Sequence, residues 1–416
     1  MYVSLLIIPM NYFDAPRLYG WWQERRRPVL FCAVALMSFA AFVWLGYEFW
    51  RLYREPEKLF GRKILTGGVD LKLMHYFVQN WFAGVPMNSL LWNSVYPPAS
   101  YVIAWPLVGW LSYGESRLLW TAVNLLSLAF LIRLCTRESG AMTPLERAFA
   151  GLMPLAAYPA GAIIGNGQLT ILVISTLALS LLLLTRGEKG WKTDLIASCL
   201  FLAALIKPHV SAPFFWIALI IPGRARPALL IISGYCAMTF FAAAWQDAGL
   251  LTLMTDWLSR GTAVTADVGY ANLQLSFASH GFKHLGLFAS LFVFSALGVF
   301  IHSCRRADIW LLIGVTAIAA RFWTYHQWYD DLLILLPMIA LFRVAKSASQ
   351  PELPTLLAGT LLGVCTFMML APGGHFLFSP PAAKVYMSVL SSVWLIILVF
   401  LVRLAWKERR GQLSSL

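Results

Sequence analysis

Long apolar segments recur along the whole chain, and they restrict its fold more than any other feature. Of the 416 residues, 59% are hydrophobic and only 12% are charged, whereas about a quarter of an average soluble domain is charged. A transmembrane α-helix needs about 20 consecutive, mostly apolar residues. We therefore expect an all-α polytopic integral membrane protein.

Twelve apolar segments are candidate spans. Several contain fewer than about 20 residues, which predicts tilted or broken helices. The segments are residues 29–47, 116–134, 146–164, 169–185, 193–206, 209–223, 227–245, 284–301, 308–323, 330–343, 355–371 and 386–404. They divide the chain into a cytoplasmic N-terminal segment (1–28), a transmembrane domain (29–404) and a cytoplasmic C-terminal tail (405–416), with no soluble module and no obvious internal repeat.

The basic residues alternate between the ends of these spans. With both termini in the cytoplasm, 20 of the 32 Lys and Arg residues fall on cytoplasmic segments, as the positive-inside rule predicts. Orientation therefore explains most of the net charge of +13, and we expect no nucleic-acid partner. Residues 3–9 form too short an apolar run for a removable signal peptide, and no basic region precedes them.

Residues 96–113 are apolar but are not counted as a span. A span at this point would place the basic residues of 133–147 outside and would invert every later loop. The segment also contains three prolines and several aromatic residues suited to a membrane interface. We expect a helix that lies in or dips into the outer leaflet, within a large first external loop over residues 48–115.

The six cysteines lie in or beside apolar segments, with no close pair and no histidine at the spacing of a metal site. We interpret them as small buried hydrophobic side chains rather than as disulfides or zinc ligands. They are Cys32, Cys135, Cys199, Cys236, Cys304 and Cys365.

With this topology the polar motifs gather on the non-cytoplasmic face. They occupy residues 67–72, 96–98, 165–168, 207–209 and 321–331. Polar groups near apolar depth are costly, so their concentration on one side indicates a site.

Asp70 follows Gly67 and Gly68, which allow a tight turn and a close approach to a ligand. A carboxylate here could accept a proton from an attacking hydroxyl group. The alternative is a structural role as the N-cap of a helix that begins at Leu71.

Two further motifs have both a structural and a functional interpretation. Gly165-Asn166-Gly167-Gln168 forms either a simple turn between two spans or a pair of amides that bind sugar hydroxyls or a phosphate. Lys207, which precedes Pro208 and His209, either extends to the membrane surface or points inward towards a phosphate.

The segment 321–331 is the densest polar motif. An aromatic belt explains its tryptophans and tyrosines, but it does not explain Arg321, His326 and the pair Asp330 and Asp331. The arginine and the histidine could bind a phosphate leaving group, and the aromatic rings could stack on sugars or on a prenyl chain. Asp330 and Asp331 could hold a metal, but no third carboxylate stands at a recognisable spacing, and we expect none.

Together these motifs resemble the GT-C glycosyltransferases, and in particular glycosyltransferase family 87, the polyprenol-phosphate-mannose-dependent mannosyltransferases of bacteria. The resemblance covers roughly residues 30–345. It rests on the order of an aspartate in the first external loop, Tyr96-Pro97-Pro98, Gly165-Asn166-Gly167-Gln168, Lys207-Pro208 and the Tyr325-His326-x-x-Tyr329-Asp330 segment.

The resemblance implies a lipid-phosphate sugar donor, used on the non-cytoplasmic side of a bacterial inner membrane, without a cofactor. The first-loop aspartate of the family is the general base, which corresponds to Asp70, and the late histidine corresponds to His326. Lys207, His209 and Arg321 would bind the donor phosphate. The residues expected to contact the sugar or the acceptor are Asn166, Gln168, Tyr96, Tyr325, Trp328 and Asp330.

One departure concerns metal use. Many GT-C enzymes have an acidic pair in the first loop, whereas Asp70 stands alone and Glu55 and Glu57 lie well upstream. This argues further against a metal.

The expected reaction is an inverting displacement in which mannose, or a related hexose or pentose, passes to a glycolipid or glycan acceptor. The external loop 246–283, with Asp256, Trp257, Arg260, Tyr270 and Asn272, is a candidate acceptor surface. Two alternatives remain at this point. One is a flippase for lipid-linked glycans, which should line a path through the membrane with charges. The other is a polymerase or ligase of O-antigen type that uses diphosphate-linked donors.

Overall fold

The computed structural model describes residues 15–54, 58–59, 62–63, 67–86, 95–267, 272–347 and 353–411. Glu55, Glu57 and Tyr270 lie outside these residues. The α-helices are α1 (Ala15–Tyr53), α2 (Val69–Phe82), α3 (Pro98–Val108), α4 (Tyr113–Glu138), α5 (Pro144–Ala156), α6 (Tyr158–Asn166), α7 (Thr170–Arg186), α8 (Trp191–Ala204), α9 (Pro208–Ser211), α10 (Phe215–Ile220), α11 (Arg226–Trp245), α12 (Leu250–Asp267), α13 (Leu273–Ser279), α14 (Gly286–Ser303), α15 (Ile309–Trp323), α16 (Leu335–Lys346), α17 (Leu353–Met368), α18 (Gly374–Leu377) and α19 (Pro380–Arg409).

Short elements complete the described part of the chain. Three 3₁₀ helices cover Ala212–Phe214, Lys283–Leu285 and Trp328–Ile334, and strands β1 (Lys58–Leu59) and β2 (Arg62–Lys63) form one antiparallel hairpin. The fold is therefore all-α in its membrane part, as the hydrophobic pattern predicts.

Within the described residues, five helices are long and apolar enough to cross a membrane: the part of α1 from Glu24, and α4, α11, α14 and α19. Helices α6 and α7 together form a sixth candidate, which is bent by 118° at the break. The other segments predicted as spans fall on shorter or interrupted helices. Residues 209–223, for example, divide into α9, a 3₁₀ turn and α10, because Pro208 and Pro213 cannot continue a regular helix.

Residues 96–113 contain a helix that is too short to span a bilayer. Helix α3 has 11 residues and is therefore about 16 Å long, against a hydrocarbon core of about 30 Å. It packs on α2, where the rings of Trp81 and Tyr101 stack with centroids 4.3 Å apart. Its length agrees with the prediction that this segment does not cross the membrane.

Polar residues occur at both ends of several helices. Helix α7 has 17 residues, from Thr170, beside the 165–168 motif, to Arg186, which pairs with Glu138 at 2.6 Å. Helix α8 has Asp194 in its first turn, 2.6 Å from Arg224, while Lys207 follows its other end. The motifs of the predicted site and these ion pairs thus lie about one helix length apart, on opposite ends of the bundle.

All six cysteines, which belong to the described residues, are free thiols. Three of them, Cys135, Cys304 and Cys365, are buried, as expected for small apolar side chains. The other three, Cys32, Cys199 and Cys236, lie exposed on the outer surfaces of α1, α8 and α11, so the prediction of burial is wrong for them. Their helices have apolar outer faces where a thiol is tolerated as a small hydrophobic group.

Two glycine pairs, Gly67 and Gly68 in the first loop and Gly165 and Gly167 in the α6–α7 turn, lie where these two segments meet. The amide of Gly68 donates to the carbonyl of Gly165 at 2.8 Å. Gly167 has φ of +76°, and a Cβ atom on it would lie 2.5 Å from Cβ of Leu71. The backbones therefore approach each other more closely than side chains would allow.

This contact predicts unequal effects for two glycine-to-alanine variants. Gly84 has a similar φ of +77°, but no atom lies within 4 Å of the position that a Cβ atom would take there. Gly84→Ala should cost only the backbone strain, about 1 kcal/mol of unfolding free energy. Gly167→Ala should cost about 1–3 kcal/mol more, because it also overpacks Leu71. Unfolding of the detergent-solubilised protein measures both, and equal losses would contradict the close contact.

Candidate active site

A cavity of about 330 Å³ lies among α2, the segment after α8, helices α12 to α14 and residues 323–329. Its wall contains both polar and apolar residues. The polar residues include Asp70, Tyr96, Gln168, Lys207, His209, Tyr325 and Tyr329. The apolar residues include Leu73, Phe77, Trp257, Val264, Leu291 and Trp323. A molecule that fills it must therefore be amphipathic.

Asp70 lies in the first turn of α2, whose N-cap is Gly68. The interpretation of Asp70 as a helix cap is therefore wrong. Asp70 lines the cavity beside Gln168, whose side-chain amide is close enough to act on its carboxylate. Burial raises the pKa of the Asp70 carboxyl above its ordinary value, while the Gln168 hydrogen bond and the charge of Lys207 act in the opposite direction.

Lys207 points inward and is only 2% exposed, so the prediction that it extends to the membrane surface is wrong. Its ammonium group donates to Gln168 Oε1 at 2.9 Å, to Thr170 Oγ1 at 2.9 Å and to Asp330 Oδ1 at 2.8 Å. It also lies 4.8 Å from the ring centroid of Tyr329. These contacts satisfy all three N–H groups of the lysine.

Asp330 is fully buried and neutralises Lys207. Its Oδ1 accepts a hydrogen bond from Thr170, and its Oδ2 accepts one from the amide of Gln327 at 3.2 Å. Nε2 of His209 lies 3.6 Å from Oδ2. Asp330 therefore organises the polar end of the cavity from behind, without lining it.

His326 lies behind His209, with the ring centroids 5.2 Å apart. It is fully buried, and its Nδ1 is 3.1 Å from the carbonyl of Thr324. Burial, with a smaller contribution from His209, holds the pKa of His326 well below its ordinary value. The imidazole is therefore neutral at pH 7, and it is a hydrogen-bonding group rather than a cation.

Three further predicted site residues lie away from the cavity wall. Arg321 is buried and donates to Asp331, which also accepts from the hydroxyl of Tyr158. The Asn166 side chain accepts a hydrogen bond from Arg51 at 2.9 Å. Trp328 packs on other rings, with its centroid 5.4 Å from that of His375.

The structure thus brings Asp70, Tyr96, Gln168, Lys207, His209 and Tyr325 to one cavity. Thr170 and Tyr329 were not among the predicted site residues. Tyr329 stands in the 321–331 motif, whose composition could have indicated it, whereas a lone threonine at the start of an apolar helix carries no such signal.

The candidate acceptor surface of 246–283 contributes one wall of the cavity. Trp257 lines it, and its indole N–H donates to the carbonyl of Val95 at 2.9 Å. Asn272 instead caps α13, because its side chain accepts from the amide of Leu275. Across the described residues, no cluster of three or more His, Cys, Asp or Glu side chains could hold a metal ion.

Comparison with known proteins identifies a family. The model of glycosyltransferase family 87 matches residues 95–372, which is more than half of the chain. The match includes Gln168, Lys207 and His209, whereas Asp70 lies before it. No curated protein and no solved structure matches the chain. The extent of the family match shows that this chain is a membrane glycosyltransferase and belongs to glycosyltransferase family 87.

Proposed function

We propose that this enzyme transfers a sugar from a polyprenyl-phosphate donor to a hydroxyl group of a glycolipid or glycan acceptor, on the non-cytoplasmic side of a bacterial inner membrane. The sugar is mannose or a related hexose or pentose. The observation that carries the proposal is a partly buried carboxylate, Asp70, in the wall of a cavity that is lined by both polar and apolar residues.

The acceptor hydroxyl lies next to Asp70 in this mechanism. Its proton passes to the carboxylate as its oxygen forms a bond to C1 of the donor sugar. The bond between C1 and the phosphate oxygen breaks, and its electron pair leaves with the phosphate. Because the attack comes from the side opposite to the leaving group, the anomeric configuration is inverted.

The polar wall supports the leaving phosphate, whose negative charge grows in the transition state. Phenol hydroxyls of Tyr96, Tyr325 and Tyr329, together with the His209 ring, line this end and can donate hydrogen bonds. Lys207 lies at the same end, where Asp330 neutralises its charge. Arg321, which pairs with Asp331, and His326 lie behind this wall and do not line the cavity.

The apolar wall supports a lipid donor rather than a nucleotide sugar. Trp257, Val264 and Leu291 line this side, and Leu291 and its neighbour Phe292 are exposed on the outer face of α14. A prenyl chain can therefore continue from the cavity into the membrane. This arrangement favours a substrate whose sugar phosphate lies among the polar residues of the cavity while its hydrocarbon chain lies in the membrane.

Family membership favours an enzyme over a flippase. The distribution of charge agrees with this, since the cavity gathers its polar groups at one end of the bundle rather than along a path through it.

The variant Asp70→Asn should lower the rate of sugar transfer by about 10²–10⁴-fold, because an amide cannot accept the proton of the acceptor. Purified protein with a labelled lipid-phosphate sugar and an acceptor extract measures this. Asp247→Asn is the matched control, since Asp247 is exposed and has a φ of 45° that asparagine tolerates. Transfer at the normal rate by Asp70→Asn would remove Asp70 from the mechanism.

The donor class has its own test. We expect transfer from a polyprenyl-phosphate sugar, but not from a nucleotide sugar or a polyprenyl-diphosphate glycan, and we expect the rate to persist in the presence of a chelator. Product formation with each donor, followed by mass spectrometry of the acceptor, measures this. Use of the diphosphate donor alone would favour the polymerase or ligase alternative.

The orientation can be tested with single cysteines in a chain whose six native cysteines are replaced by alanine. Cysteines at Lys72 and His280 should react with an impermeant reagent added outside, because both positions are exposed at the end of the bundle that holds the cavity. Cysteines at Lys189 and Arg305, exposed at the other end, should react only after permeabilisation. The reverse pattern would place the site in the cytoplasm.

A further inference from the structure

We propose that Gln168 is a positioning residue that holds Asp70 ready for the reaction, and that Lys207 and Asp330 fix the orientation of the Gln168 amide. In this arrangement Lys207 is not a direct ligand of the donor phosphate. The inference rests on the proposed function of Asp70 as general base.

The orientation of Gln168 follows from the chemistry of its two neighbours. A side-chain amide has an acceptor oxygen and a donor NH₂ group, whereas an ammonium group only donates and a carboxylate only accepts. Lys207 donates to Oε1 of Gln168 at 2.9 Å. This leaves the NH₂ group of Gln168 as the group available to Asp70, its neighbour in the cavity wall. In the opposite orientation the NH₂ group would face the ammonium group of Lys207, and the oxygen would face the carboxylate of Asp70. Neither pair can form a hydrogen bond, so only one orientation of the amide suits both neighbours.

Lys207 is held in place by acceptors that use all of its N–H groups. Besides Gln168, it donates to Thr170 Oγ1 at 2.9 Å and to Asp330 Oδ1 at 2.8 Å. Its side chain is 3% exposed and that of Asp330 is fully buried. The lysine can therefore contact a phosphate only if one of these hydrogen bonds breaks, which leaves a buried polar group without a partner.

The surroundings of Asp70 show what Gln168 adds. Lys207 and Arg51 favour the carboxylate form, and Asp330 opposes it. The phenols of Tyr96, Tyr325 and Tyr329 are also within electrostatic reach. Against the burial that raises the pKa of Asp70, the Gln168 hydrogen bond is the largest opposing contribution. It keeps more of the base ionised.

The variant Gln168→Met tests this role, because methionine is similar in length but cannot donate. Loss of the donor raises the pKa of Asp70, so the acid limb of the kcat profile should move to higher pH. A hydrogen bond to a charged group is worth enough that kcat on the acid limb should fall about tenfold. The KM for the donor should change little, since Gln168 acts through Asp70.

Gln168→Glu gives a graded comparison. Glutamate keeps an acceptor for Lys207 but places a second carboxylate beside Asp70, which disfavours ionisation of both. The acid limb should therefore move further than in Gln168→Met. This variant also decides the question if Gln168→Met does not fold.

Gln274→Met is the matched control, because Gln274 contributes an amide to a different part of the same cavity. Its acid limb should coincide with that of the unmodified enzyme, whatever its rate. If Gln168→Met and Gln168→Glu also keep the original acid limb while Asp70→Asn is inactive, the positioning role is wrong and the proposed function stands. If Asp70→Asn is itself active, the proposed function fails first.

Discussion

The ion pair between Lys207 and Asp330 is the interaction on which the polar end of the cavity depends. Each charge would cost several kcal/mol to bury alone, and here the two are 2.8 Å apart with further hydrogen bonds from Thr170 and Gln327. Lys207 follows α8, Asp330 lies in the 3₁₀ helix before α16, and Thr170 begins α7. Lys207 and Asp330, together with Thr170, thus join three helix ends that are far apart in the sequence.

The bundle has a second polar layer at its other end. There, Asp194, Asp308 and Glu138 pair with Arg224, Arg343 and Arg186. Apolar helix faces fill the space between the two layers, where unpaired charges would be costly. The buried charges of the first layer lie beside the cavity. Those of the opposite layer form ion pairs between helix ends.

The sequence predicts the site's location better than its contacts. Polar motifs at the ends of apolar runs, combined with the basic residues of the loops, are enough to place Asp70, Gln168 and Lys207 on one face, and the structure brings these three together. Hydropathy measures how apolar a segment is and not whether its helix is continuous. It therefore does not reveal that residues 209–223 break into short helices.

The partners of individual charges depend on tertiary structure. Lys207 and Arg321 both stand at the end of an apolar helix, yet one lines the cavity and the other pairs with Asp331. Successive residues of a 3₁₀ helix point about 120° apart, so Asp330 and Asp331 face different cations. Nothing in the sequence alone distinguishes these two directions.

The contact between the two glycine pairs fixes the position of Asp70, the proposed base. Asp70 lies before the residues that match the family, and its loop is attached to the α6–α7 turn through backbone atoms, with Gly68 bonded to Gly165. This junction leaves no room for a side chain at Gly167, because a Cβ atom there would lie 2.5 Å from Cβ of Leu71. The position of Asp70 therefore depends on glycines in two segments that are far apart in the sequence, one in the first loop and one in the α6–α7 turn.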